Sequence, residues 1–125
     1  MRRVKPYVRS MRYVILSALL AAPALADPPT IEQVRASATG DTWRFDVTIR
    51  HPDTGWDHYA DGWRVLDMDG NELGMRVLHH PHETEQPFTR SLGGVVIPES
   101  VSQVQIQARC NVDGWNEDTT LVKLD

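Results

Sequence analysis

One cysteine and five histidines are the residues of this chain whose chemistry reaches beyond packing and solvation. The thiol lies in Arg109-Cys110-Asn111-Val112-Asp113-Gly114-Trp115, at the end of a run with two alternating faces. Val104, Ile106, Ala108 and Cys110 share one face; Gln103, Gln105, Gln107 and Arg109 share the other. With no second cysteine, Cys110 forms no disulfide within the chain, which leaves a small apolar core residue, a reactive group or a metal ligand. His51 stands in the same relation to the run before it, continuing the series Trp43, Phe45, Val47, Ile49. Both residues are therefore expected to point inward at the rim of a core. Neutral imidazole and thiolate suit iron, copper or zinc better than calcium, which takes oxygen donors. His58, His79, His80 and His82 are further nitrogen donors, and Asp113 a carboxylate supplement. The plainer alternative is Cys110 as ordinary core and His79, His80 and His82 as solvated surface.

What must position these groups is a set of short strands. Thr42 to Arg50 is the best of them, with apolar and polar residues in strict alternation. Ile31 to Ser37 precedes it across Thr39-Gly40-Asp41. Trp63 to Met68 and Leu73 to Leu78 are joined through Asp69-Gly70-Asn71, whose residues suit a tight turn. Phe88 to Val96 carries Gly93-Gly94, a bulge or bend signal. Ser102 to Cys110 and Thr119 to Leu124 complete the pattern. About seven strands and no helical periodicity predict a single antiparallel β-sandwich of immunoglobulin-like type. If successive strands reverse direction, the loops 51–62, 79–87 and 111–118 share one end of the sandwich. Those loops hold all five histidines, with Cys110 at the root of the third. Function on such a scaffold gathers on loops at one end.

Residues 1–26 read as a secretory signal peptide: a basic stretch, an apolar run from Tyr13 to Leu25 and an Ala24-Leu25-Ala26 cleavage site, with Met11 as a second candidate start. Removal leaves residues 27–125 as one small domain, periplasmic or secreted, with no membrane span and no cysteine at its start to carry a lipid. Five of the 13 Lys and Arg lie in the leader and all 17 Asp and Glu lie beyond it, so the remainder carries a net charge of −9. Such a surface argues against nucleic acid and anionic membranes, which need clustered cations. It favours divalent cations and basic partners.

Aromatic residues suggest a second use of the same end. Trp56, Tyr59, Phe88 and Trp115 are candidate platforms for a protein or glycan partner, while Trp63 is expected between the sheets. No local signature surrounds Cys110 that would mark a thiol hydrolase, and no reaction is indicated.

Two segments, His51-Pro52-Asp53-Thr54-Gly55-Trp56-Asp57-His58-Tyr59 and Cys110-Asn111-Val112-Asp113-Gly114-Trp115, resemble those of the superoxide reductases, the desulfoferrodoxin and neelaredoxin family. The resemblance implies an immunoglobulin-like sandwich holding iron(II) through four histidines and an axial cysteine, with one position open to superoxide. It would make His51 and His58 equatorial ligands and Cys110 the axial thiolate. Asp113 stands where that pattern has its fourth histidine, and Trp56-Asp57 replaces the lysine it commonly places before the second. The functional expectation is an exported sandwich binding iron, copper or zinc at its loop end. A recognition module is the alternative, and a superoxide-reductase-like iron enzyme a second one.

Overall fold

A computed structural model describes residues 27–125 of the protein. The expected signal peptide falls outside the described residues. The elements are β1 (Thr30–Thr39), β2 (Thr42–Arg50), β3 (Ala60–Leu66), β4 (Glu72–Val77), β5 (Phe88–Val95), β6 (Gln103–Cys110), β7 (Gly114–Trp115) and β8 (Thr120–Lys123). They form two antiparallel sheets packed face to face, one in the order β1-β2-β5 and the other β4-β3-β6, with β7 and β8 both pairing to β6. This is the immunoglobulin-like sandwich that the alternating pattern predicts.

The core is built from the residues that alternation assigns to the inner faces. Phe45, Val47 and Ile49 of β2 meet Val104, Ile106 and Ala108 of β6, and Trp63 and Val65 of β3 fill the space between. Trp63 is fully buried, as an indole between the two sheets of a sandwich should be. Each buried aliphatic or aromatic side chain of this kind stabilises the fold by about 1.5–3 kcal/mol relative to exposure. The Gly93-Gly94 bend is real: between Trp43↔Val95 and Phe45↔Leu92 the register of β2 and β5 shifts.

Two elements depart from expectation. Strand β3 begins at Ala60 rather than Trp63, because Ala60 is buried and Gly62 lies against the Met75 methyl and the Arg76 carbonyl, leaving no room for a side chain. Strand β7, two residues long, lies in a stretch read as loop. It exists because Gly114, at φ +76°, reverses the chain tightly after Cys110, so that Arg109 pairs with Trp115 and Cys110 with Gly114. A two-residue strand is too short to show alternation.

Candidate metal centre

β2 in one sheet and β6 in the other both run toward the same end of the sandwich, and each delivers one donor there. His51, one residue past β2, is 1% exposed; Cys110, the last residue of β6, is 0% exposed. The third donor comes from the turn before β3. A bridge between Gly55 and His58, closed by Thr54 N–H to the His58 carbonyl at 2.9 Å and His58 N–H to the Gly55 carbonyl at 3.2 Å, folds that turn back on itself. Gly55, at φ +126°, supplies the backbone conformation the turn needs. His51, His58 and Cys110 thereby offer ligand atoms that all lie within 4.8 Å of one another. The Cys110 Sγ to His58 Nε2 distance is 3.5 Å, and the two imidazoles meet edge to face at 4.7 Å between centroids.

The orientation of His51 is fixed from behind. Its Nδ1 lies 2.6 Å from Oδ1 of Asp53, a carboxylate whose side chain is wholly buried. The same carboxylate accepts the Ala60 N–H at 3.0 Å and the His82 N–H at 2.8 Å. With its proton on Nδ1, the ring presents a bare Nε2 lone pair toward Cys110 and His58. That nitrogen is buried and has no hydrogen-bond partner among the described residues. An orphaned buried acceptor is costly unless something satisfies it. The carboxylate-histidine arrangement is how metal-ligating imidazoles are commonly held.

Gln86 ties the 79–87 loop in, accepting the His51 N–H at 2.9 Å and donating to the His82 carbonyl at 2.9 Å. Asn111 accepts the Tyr59 N–H at 2.9 Å and donates to the Trp56 carbonyl at 3.0 Å, which locks the His58 turn against the root of β6. Burial pushes the Cys110 thiol above its ordinary pKa. The N–H groups of Asp113 and Val112 work against that shift, and the Asp113 carboxylate adds to it. The thiol donates toward Asp113 Oδ2 at 3.5 Å and accepts from the Asp113 N–H at 3.3 Å.

The other expected ligands do not join the group. His79 and His80 are exposed. His82 is buried, but its ring stacks on Phe88 at 4.0 Å and its Nε2 faces the Arg90 guanidinium at 2.8 Å. Burial, followed by the charge of Arg90, lowers the His82 pKa, so the ring is held neutral. Of the three donors Asp113 reaches only the sulfur, and its Oδ2 also accepts the Asp27 N–H at 3.3 Å. Of the expected partner platforms, Phe88 is 2% exposed and belongs to the core, a correction that follows from its inward phase at the start of β5. Trp115 is half-buried, with the Arg64 guanidinium 3.8 Å above its ring. Trp56 alone stands out, 66% exposed and braced edge-on by Tyr59 at 5.6 Å. Asp53, Gln86 and Asn111 hold the site together without any pattern in the sequence that marks them. Asn111 beside the cysteine and Asp53 two residues after the inward histidine are signals legible only once the loops are known to meet.

No family model matches the chain. It is 35% identical over 98 residues to a protein of Halomicrobium mukohataei described as a putative lipoprotein; the match covers 78% of this chain and 48% of that protein, so the chain spans about half the length of this relative. A search of solved structures finds similarity to the crystal structure of a hypothetical protein from Pyrococcus horikoshii OT3. The TM-score is 0.50 and the identity 17%, covering 78% of this chain and 87% of that one. That likeness concerns the fold. Among the described residues, no helix is long and apolar enough to cross a membrane.

Proposed function

We propose that this protein is an exported domain that binds a transition-metal ion through His51 Nε2, His58 and Cys110. The observation that carries the reading is the orphaned, buried Nε2 of His51, aimed at a sulfur and a second imidazole and held there by a buried carboxylate. A structure that buries an unsatisfied acceptor beside two further ligands gains most when a cation fills the gap. Export is supported by the signal-like residues 1–26 and by the relative described as a putative lipoprotein. Two imidazoles rather than four stand with Cys110, so the reading stops at metal binding. Superoxide consumption by an iron-loaded sample would extend it to the resembled reductases.

The test is metal content and thermal stability of the protein recovered from the exported fraction. A bound ion at one hundred times its dissociation constant adds about 2.7 kcal/mol to stability. Stoichiometric iron, copper or zinc and raised melting on adding one of them are expected, and Cys110→Ser should lose both. A protein without metal whose melting ignores all three ions would end the proposal. The exposed, braced Trp56 favours a second reading, a surface that holds a protein or glycan. It predicts a partner whose binding Trp56→Ala abolishes in metal-free protein.

A further inference from the structure

Resting on that metal-binding reading, we infer that the centre is built for a four-coordinate cation of the zinc type, with three positions taken by the protein and the fourth open to a small ligand from solvent. One donor edge, between Cys110 and His58, bears on the geometry. With a metal-sulfur bond of about 2.3 Å and a metal-nitrogen bond of about 2.0–2.1 Å, a tetrahedral angle separates the two donor atoms by about 3.6 Å and a right angle by about 3.1 Å. Cys110 Sγ and His58 Nε2 are 3.5 Å apart, the tetrahedral edge. An ion that prefers an octahedron would have to draw them closer.

The chemistry of the donors points the same way. A thiolate with two imidazoles suits a soft or borderline ion, whereas six-coordinate ions such as Mg2+ and Mn2+ take oxygen. The nearby carboxylates are not arranged to supply it. Asp53 is turned to the far side of the His51 ring, and Asp113 lies 3.5 Å from the sulfur but outside the mutual reach of the three donors.

Burial identifies the open side. His51 and Cys110 are sealed, His58 is half-buried and Asp113 is exposed. The solvent side is therefore that of His58; a cleft of about 400 Å3 lined by Asp113, Gly114, Trp115, Glu117 and Asp118 among others reaches Asp113 but none of the three donors. The carboxylates of Asp113, Glu117 and Asp118 raise the local concentration of cations on that part of the surface. Three protein ligands with an accessible fourth position is the arrangement of zinc sites that exchange a ligand, rather than of closed structural sites.

Adding Co2+ alone to the metal-free protein tests this, because four-coordinate cobalt absorbs strongly in the visible and six-coordinate cobalt weakly. The expected result is intense visible bands with a thiolate charge-transfer band at shorter wavelength, and a shift of the visible bands when azide is added. Asp113→Ala should bind Co2+ within a few-fold of wild type and respond to azide in the same way. Weak six-coordinate bands would overturn the geometry while leaving metal binding intact. A wild type that ignores azide beside an Asp113→Ala variant that responds would make Asp113 the fourth ligand and overturn the open position. Failure to bind either Co2+ or Zn2+ would remove the metal-binding reading and this inference with it.

Discussion

Replacing Asp53 by Asn changes one atom and should damage the centre more than its apparent conservatism suggests. The carboxylate faces three donors: His51 Nδ1–H at 2.6 Å, Ala60 N–H at 3.0 Å and His82 N–H at 2.8 Å. A carboxylate meets all three because it only accepts; an amide has one accepting oxygen and one donating nitrogen. If the Asn oxygen serves His51 and Ala60, its NH2 confronts the His82 N–H. If the amide is reversed, the NH2 faces Nδ1 and drives the His51 proton onto Nε2, the atom that should meet the metal. Either arrangement leaves a buried donor unsatisfied, at about 1–3 kcal/mol of apoprotein stability. Loss of a supporting partner to a ligating histidine typically weakens metal binding by about 10–100-fold, or roughly 1.4–2.7 kcal/mol. Urea unfolding of the metal-free protein reads the first quantity, and a Zn2+ competition titration against a chromophoric chelator reads the second. In a His51→Ala background, Asp53→Asn should weaken binding no further, since its effect runs through that ring. An Asp53→Asn protein that loses stability yet binds Zn2+ as tightly as wild type would refute the orienting role.

Other consequences follow from the same contacts. Asn111→Ala frees the Tyr59 N–H and the Trp56 carbonyl, so it should cost about 1 kcal/mol in urea unfolding and weaken Zn2+ several-fold by loosening the His58 turn. Gly62→Ala would place a methyl 3.0 Å from Met75 Cε and 3.2 Å from the Arg76 carbonyl, and should destabilise the protein by about 1–3 kcal/mol while leaving metal stoichiometry intact. The folded His82 pKa is depressed below its ordinary 6.5, so the unfolded chain takes up that proton first on acidification. The contribution of His82 is therefore complete above pH 6.5 and is lost as pH falls through the lower folded value. Urea midpoints from pH 7 to pH 5 should decline less steeply in His82→Gln than in wild type.

Alternation along β2 and β6 was enough to place His51 and Cys110 on inner faces, because a strand turns successive side chains to opposite sides and one face of each sheet must be buried. The antiparallel order then brought their loops to one end. The reach of the loops lay beyond that logic. His58 joins the centre through a turn closed by its own backbone hydrogen bonds, whereas His82 is drawn away by Phe88 and Arg90, and no periodicity records either outcome. Phe88 has the composition of a docking residue and the phase of a core residue, and burial decided for the core.

The sequence by itself determined the sandwich, the inward phase of the sulfur and of one imidazole, and the acidic balance of residues 27–125, since each follows from local pattern and composition. Only the tertiary structure decided which second imidazole completes the group, that Asp53 orients the first and that Asn111 and Gln86 tie the loops together. These are contacts between segments 29 to 55 residues apart as well as within one turn, and their distances are set by how two twisted sheets meet rather than by any spacing along the chain.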